Sequence, residues 1–371
     1  MAKEYTVTPW EVHGDVDYNE IVKEFGTKEI DDSLLKKIEK YGKLHHFLRR
    51  KHFFAHRDLD IILKDYDKGK KFYLYTGRSP SGPIHLGHMI PWMFTKWLQD
   101  TFDAPLLFQI PDEEKFLFKN NLTMEESEKW ATDNILDIIA LGFDHKKTSI
   151  FKNTEYAKTM YPVAVEISKR ITLSKAKAVF GYTNETNIGS IFYTAMQSVP
   201  AFLPSIREGE PTNCLIPYAI DQDPHFRITR DVAPKLGYPK PASINCKFLP
   251  SLKGDSKMSS SINETCIYAG DSPEEVSSKI RKYAFSGGRD TLKEHRKKGG
   301  NPNIDVAYQW LTYFEEDDKK LEQVYHAYKS GELLSGELKE ICIETINKFL
   351  STHQKARAKA ESKVEKFMLR D

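Results

Sequence analysis

The sequence predicts an α/β fold built on a parallel sheet and followed by a bundle of helices. Between residues 71 and 151, apolar runs of strand length alternate with helical segments, the pattern of parallel strands joined by right-handed crossovers. Beyond Tyr268 the strand-like runs fade and helical periodicity remains. A chain of 371 residues also exceeds one core of usual size, which suggests about two domains. The expected division is an N-terminal extension at 1–70, an α/β domain at 71–268, a helical domain at 269–355 and a C-terminal helix at 356–371.

Near the start, Tyr5-Thr6-Val7-Thr8 alternates like a short strand, and Asp15-Val16-Asp17-Tyr18 is expected to pair with it across a turn ending near Gly14. The stretch His45-His46-Phe47-Leu48-Arg49-Arg50-Lys51-His52 is basic and partly aromatic, which suits either a solvated helix face or contact with a phosphate backbone. Phe72-Tyr73-Leu74-Tyr75 reads as a buried strand and 89–102 as an aromatic helix. On that helix Met93, Trp97 and either Leu98 or Thr101 fall on one stripe, and Pro91 is expected in the first turn. Strands follow at 105–110 and 148–151, with an amphipathic helix at 124–141 ending at Gly142 between them.

In the second half, Ser272-Pro273-Glu274-Glu275 is a helix start: an N-cap Ser, Pro at the first helical position and a capping-box Glu. Residues 335–350 place Leu338, Cys342, Ile346 and Phe349 or Leu350 on one stripe, and a last charged helix is expected over 352–368.

Composition narrows the function classes. With 40% apolar and 29% charged residues the chain is an ordinary globular protein, and it has no apolar run long enough to span a membrane. The first ten residues resemble neither a secretory signal nor a transit peptide, so a cytoplasmic location is expected. Cys214, Cys246, Cys266 and Cys342 lie far apart with no CxxC pair, which argues against structural zinc and leaves them as buried or incidental thiols. A net charge of +2 neither requires nor excludes a nucleic-acid partner, because counterion release needs a local basic face.

Two segments carry chemistry. Tyr75-Thr76-Gly77-Arg78-Ser79-Pro80-Ser81-Gly82-Pro83-Ile84-His85-Leu86-Gly87-His88 lies between a strand and a helix, where backbone amides and the helix dipole favour a phosphate. Its two imidazoles and Arg78 supply donors, and its glycines let a flat nucleotide approach the backbone. It matches neither GxGxxG nor the Walker pattern. The second segment, Gly254-Asp255-Ser256-Lys257-Met258-Ser259-Ser260-Ser261, sets a Lys among hydroxyls and suits a polyphosphate on which charge develops during transfer. Each is weak alone; together they predict an ATP-using enzyme.

The pair His85-Leu86-Gly87-His88 and Lys257-Met258-Ser259-Ser260-Ser261 resembles the HIGH and KMSKS signatures of class I aminoacyl-tRNA synthetases. The resemblance covers almost the whole chain and narrows to the eukaryotic and archaeal tryptophanyl-tRNA synthetases. It rests further on Val7-Thr8-Pro9-Trp10, Tyr73-Leu74-Tyr75-Thr76-Gly77-Arg78, Asp221-Gln222-Asp223-Pro224-His225-Phe226-Arg227 and Ala284-Phe285-Ser286-Gly287-Gly288-Arg289-Asp290-Thr291. It implies a Rossmann-like catalytic domain, a helical anticodon-binding domain and a homodimer joined across the catalytic domain.

Residue by residue, the resemblance gives Tyr75 and Gln222 to the indole N–H, and Gln109, Glu114 and Gln197 to the substrate ammonium, with Gly77 against the substrate. His85, Gly87 and His88 meet ATP, Arg78 its phosphates with Lys115 assisting, and Ile216 offers backbone contacts to adenine. Lys257, Met258, Ser259, Ser260 and Ser261 form the loop that holds pyrophosphate. These residue types fit independently: a lone indole donor suits a buried acceptor pair, and an ammonium suits a carboxylate with amide oxygens.

The implied reaction is activation of L-tryptophan with ATP and Mg2+, then transfer to tRNA(Trp), with the basic 45–57 stretch helping to hold the acceptor stem. A tyrosyl-tRNA ligase, and a synthetase-like nucleotidyltransferase or nucleotide-binding protein, are the alternatives. Two departures from the family are visible: 79–83 is one residue shorter than in eukaryotic members, and Pro111 stands where a hydroxyl residue is usual before Asp112-Glu113.

Overall fold

The computed structural model describes residues 6–7, 12–13, 17–254, 257–259 and 262–371. Strand β1 (Thr6–Val7) pairs antiparallel with β2 (Val12–His13). The partner of the first strand is therefore nearer in sequence than the expected Asp15-Val16-Asp17-Tyr18. Asp17 has a different task. Its side chain accepts from the Asn19 and Glu20 amides and starts helix α1 (Tyr18–Phe25), a local bond that wins over strand pairing.

Strand β3 (Lys28–Glu29), helices α2 (Asp32–Glu39) and α3 (His46–Arg49), strand β4 (Phe53–Arg57) and helix α4 (Leu59–Tyr66) follow. The basic stretch forms internal contacts rather than an open face. His46 Nε2 lies 2.8 Å from the Tyr313 carbonyl and His52 Nε2 3.0 Å from that of Thr312. Arg49 and Arg50 both reach the Asp318 carboxylate, at 2.7 and 2.6 Å. Of residues 45–57 only Lys51 is exposed, so the phosphate-backbone reading of this stretch gives way to a clasp on the C-terminal helices.

Strands β5 (Phe72–Gly77), β6 (Leu106–Ile110) and β7 (Thr148–Lys152) alternate with helices α5 (Leu86–Phe102), α6 (Glu114–Phe118) and α7 (Met124–Ala140). After β7 come α8 (Ala157–Ser168), α9 (Leu173–Phe180), α10 (Ile188–Met196) and α11 (Leu203–Glu208), then β8 (Asn213–Ala219), α12 (Asp223–Val232) and β9 (Ala242–Cys246). The seven-stranded sheet runs β3-β4-β9-β8-β5-β6-β7. Its five members from β9 to β7 are parallel, and β3 and β4 add an antiparallel edge. Side chains alternate between two cores, as a sheet covered on both faces requires. Leu74, Leu106, Phe108, Ile150 and Leu215 face α5, α7 and the C-terminal helices, whereas Tyr75, Leu107, Phe151, Cys214 and Ile216 face α8, α10 and α12.

Helix α5 begins at Leu86, a turn earlier than the sequence suggested, so Pro91 lies inside it. The helix is buried nearly all round, at Leu86, Met89, Ile90, Trp92, Phe94, Leu98 and Phe102, and no single stripe describes it. Met93 and Trp97 sit at the margin of the core.

The C-terminal part consists of α13 (Pro273–Tyr283), α14 (Leu292–Lys298), α15 (Val306–Phe314), α16 (Asp318–Ser330), α17 (Ser335–Arg357) and α18 (Val364–Phe367). Helix α13 starts at Ser272 with the capping box read from the sequence. On α17, Leu338, Cys342, Ile346 and Leu350 are buried as expected. That helix continues through 352–357, because nothing between Leu350 and Arg357 breaks it. The separate charged helix over 352–368 is thus replaced by the end of α17, a turn and short α18. His353 Nε2 meets Asp137 Oδ1 at 2.9 Å and Arg357 Nε meets the same oxygen at 3.0 Å, tying α17 to α7. All four cysteines are buried thiols.

Candidate active site

The strand order changes direction at β5. From it β6 and β7 lie to one side and β8 and β9 to the other. Ligands of open α/β sheets enter the crevice beyond the carboxyl ends of strands at such a point. A cleft of about 790 Å³ opens there, lined by the ends of β5 and β8 and by the turns that follow them. Pairing of β5 with β8 stops at Leu74–Leu215, which leaves Ile216 and Pro217 on the cleft wall. Ile216 itself is buried.

The turn after β5 is pinned on three sides. Arg78 N–H donates to the Gln109 carbonyl at 2.9 Å. A Cβ on Gly77 would stand 3.0 Å from that carbonyl oxygen, so a side chain at residue 77 would crowd the approach of β5 to β6. Asn134 of α7 donates to the Gly82 carbonyl at 3.1 Å, and the amide of Leu86 and the carbonyl of Ile84 bond Ile267 and Ala269. His85 caps α5 with its backbone, and its N–H donates to His88 Nδ1 at 3.2 Å. A neutral His88 therefore carries its hydrogen on Nε2. The two rings stack with centroids 3.4 Å apart.

Electrostatics fix the charge state of these rings. Burial, followed by the nearby Arg78 and Lys257 cations, lowers His85 to about 3. Burial and Arg78 hold His88 well below the imidazole range. Both are neutral single donors at physiological pH. Burial pushes Arg78 down to about 10, so it remains a cation, and its Nε is buried without a protein partner.

Met258, Lys257 and Ser259 line the same cleft, and Ser260 and Ser261 lie outside the described residues. The segment is held by Met258 N–H to the Leu249 carbonyl at 2.9 Å, and Met258 Cβ lies against Gly87. Trp310 of α15 donates to the Pro250 carbonyl at 3.0 Å, fastening this loop to the C-terminal helices. Lys257 Nζ meets Asp221 Oδ2 at 2.7 Å.

The other part of the cleft is a polar network. Tyr75 OH donates to Gln109 Oε1 at 2.5 Å, and Gln197 Nε2 donates to Tyr75 at 3.3 Å. Tyr193 OH is within hydrogen-bond distance of both Gln197 Oε1 and Glu114 Oε2, and Lys115 Nζ lies 2.7 Å from Glu114 Oε1. Burial alone would raise Glu114; Lys115 and the Tyr193 hydroxyl outweigh it and hold the carboxylate below its ordinary range. Next to it, burial lifts Glu113 to about 7. Pro111 is buried and precedes Asp112, whose carboxylate accepts from the Thr154 amide at 3.2 Å.

Gln222 lies on the 3-10 turn Ile220–Gln222 and lines the cleft. That turn is set by Asp223, fully buried, whose carboxylate takes two bonds from Arg57 at 3.1 and 2.9 Å and one from Tyr218 at 3.0 Å. Sequence reasoning missed Tyr193, Asn153, Asp221 and the Arg57–Asp223 pair. Tyr193 had a usable signal, since it stands four residues before Gln197 on the face of α10 that meets Glu114. The others are long-range contacts without a local pattern.

Comparison with known proteins places this geometry. Residues 67–351 match the family model of class I tRNA synthetases (W and Y). The tryptophan–tRNA ligase of Pyrococcus horikoshii is 54% identical over 99% of this chain and 94% of its own length. The crystal structure of Plasmodium falciparum tryptophanyl-tRNA synthetase superposes with a TM-score of 0.90 at 43% identity, covering 95% of this chain and 97% of that one. The tryptophan-bound enzyme from Encephalitozoon cuniculi gives 0.88 at 38% identity, covering 96% and 98%. A cleft at the switch point, two ATP-type loops against each other and full-length kinship agree: the chain belongs to the class I tRNA synthetases, on their tryptophanyl, archaeal-type branch.

Proposed function

We propose that this chain activates L-tryptophan with ATP and transfers it to tRNA(Trp). The carrying observation is that one cleft holds two complementary groups. Arg78, Lys257 and two neutral imidazoles supply donors for phosphate, while Glu114, Gln109 and Gln197 supply acceptors for an ammonium. In the first step a tryptophan carboxylate oxygen attacks the α-phosphorus of ATP. The P–O bond to the β-phosphate breaks, giving tryptophanyl-adenylate and pyrophosphate. In the second, a hydroxyl of the terminal adenosine, by family analogy the 2′-OH, attacks the acyl carbon and AMP leaves. No protein nucleophile is needed; positioning and charge stabilisation carry the rate.

Glu114, ionised and held by Lys115 and Tyr193, takes the ammonium with Gln109 and Gln197. Tyr75 and Gln222 meet the indole N–H, and Gly77 lets the substrate lie against β5. Arg78 and Lys115 serve the phosphates beside His85, Gly87 and His88, Ile216 meets adenine, and Lys257 with Met258, Ser259, Ser260 and Ser261 takes the pyrophosphate. No group of three or more His, Cys, Asp or Glu that could hold a metal is gathered among the described residues. The Mg2+ of the reaction fits instead as a cation brought by ATP, coordinated by its phosphates and water.

Residues 71–268 would be the catalytic domain, 269–355 the anticodon-binding domain, and 1–70 and 356–371 its flanking segments. A homodimer fits the exposed Tyr161 and Val165 of α8, Leu173 of α9 and Ile188 of α10. We place the enzyme in the cytoplasm; no helix among the described residues is long and apolar enough to cross a membrane. Charging of tRNA(Trp) with labelled tryptophan tests the reading. Tryptophan- and ATP-dependent acylation supports it; adenylate formation without acylation, or neither, would contradict it.

A further inference from the structure

We infer that Asn153, with Glu113 behind it, is a positioning residue that sets the hydrogen-bond polarity of Tyr75 and thereby selects a side chain bearing a donor. Glu113 Oε1 takes the amide N–H of Asn153, with Nδ2 at 2.8 Å, and does so in either charge state, because a proton on the carboxyl sits on Oε2, which has no protein partner. The Asn153 side chain cannot then turn over, and its Oδ1 faces Gln109 Nε2 at 2.9 Å. Gln109 is fixed in turn, with its Oε1 towards Tyr75. The phenol hydrogen is committed to that oxygen at 2.5 Å. Towards the cleft Tyr75 is therefore an acceptor with no hydrogen to give, and Gln197 Nε2, at 3.3 Å, already uses it as one.

Asn153 and Gln109 are almost wholly buried, at 2% and 0% exposure, so no water substitutes for either partner. Asn153 is itself placed by its backbone N–H to the Ile110 carbonyl at 3.1 Å, where β7 ends beside β6. A lone-pair-only phenol welcomes an indole N–H or an ammonium and gains nothing from a side chain that lacks a donor. The inference rests on the reading that Tyr75 faces the substrate side chain.

The test compares tryptophan with 3-benzothienylalanine, the isostere in which sulfur replaces the indole N–H, in ATP–pyrophosphate exchange. Asn153→Leu should raise the KM for tryptophan about tenfold with the KM for ATP unchanged. It should also shrink the ratio of kcat/KM between the two amino acids by about tenfold, because Gln109 and the phenol are free to turn. Glu113→Gln, whose amide oxygen still accepts from Asn153 Nδ2, should keep most of the ratio. If the leucine variant does not fold, Asn153→Ala, which vacates the space rather than filling it, carries the same comparison. An unchanged ratio in a folded Asn153 variant, or a loss in Glu113→Gln equal to that in Asn153→Leu, would overturn the relay. Tyr75→Phe separates the two ideas. If it leaves the ratio intact, Tyr75 does not meet the side chain; if it collapses the ratio while Asn153→Leu does not, only the relay fails.

Discussion

Lys257 and Asp221 meet at 2.7 Å, so the cation of the second ATP-type loop is held by the residue next to Gln222 on the first turn after β8. Asp221 is buried and its Oδ1 has no protein partner. The pair joins the loop that would hold pyrophosphate to the loop that would read the indole. Lys257→Ala should lower the adenylation rate by about 10²–10³ while tryptophan affinity changes little, as expected for loss of one transition-state donor. Single-turnover adenylation beside equilibrium tryptophan binding checks it. Equal loss in both would remove Lys257 from the phosphate role.

Gly77 and Gly82 give opposite expectations although they lie five residues apart. A Cβ at Gly77 would press on the Gln109 carbonyl at 3.0 Å and its Cβ at 3.3 Å, while one at Gly82 meets nothing within 4 Å. Gly77→Ala should displace Gln109 and raise the KM for tryptophan roughly tenfold, about 1.4 kcal/mol. Gly82→Ala should leave the KM for tryptophan within about twofold of the parent. Steady-state exchange at varied tryptophan measures both.

Buried neutral histidines make stability depend on pH. His52 and His85 are both lowered to about 3, chiefly by burial, against an ordinary value near 6.5. Between these values the unfolded chain binds protons that the folded chain does not. Stability is thus full above about pH 6.5 and is lost as pH falls, each group contributing a slope of roughly 1.4 kcal/mol per pH unit. Glu113, raised to about 7, has the opposite sign over roughly 4.5 to 7 and partly offsets this. Thermal melting from pH 7.5 to 5 should show a falling midpoint, and His52→Gln should flatten the slope. A midpoint constant or rising on acidification would contradict these assignments.

Two contacts that the C-terminal helices make with the rest of the chain should differ greatly in weight. Trp310 is completely buried and bonded to Pro250, so Trp310→Ala should cost about 3–5 kcal/mol. Asp318, half exposed, pairs with Arg49 and Arg50, and Asp318→Ala should cost no more than about 1 kcal/mol. Urea midpoints of the two variants decide this.

Local signals were legible in the sequence, and long-range ones were not. The capping box at Ser272 needs only its own four residues, and the strand–turn–helix frame of β5 and α5 needs only its neighbours. The start of α5 slipped by a turn because His85 is not a usual cap, and its stripe failed because both sides of the helix are covered. Strand β8 was hidden by Pro217, which is tolerated because β5 pairs with β8 only through Leu215. The two ATP-type segments could be read from residue order. The order could not show that Arg49 and Arg50 spend their charge on Asp318, that Asp221 holds Lys257, or that Asn153, just past β7, meets Gln109 on the neighbouring β6.

The selectivity of the cleft is the central claim, and amino-acid-dependent ATP–pyrophosphate exchange across all twenty amino acids tests it most directly. The account predicts exchange with tryptophan and only background with the other nineteen, tyrosine included. Tyrosine-dependent exchange without tryptophan-dependent exchange, or no exchange with any amino acid, would contradict it.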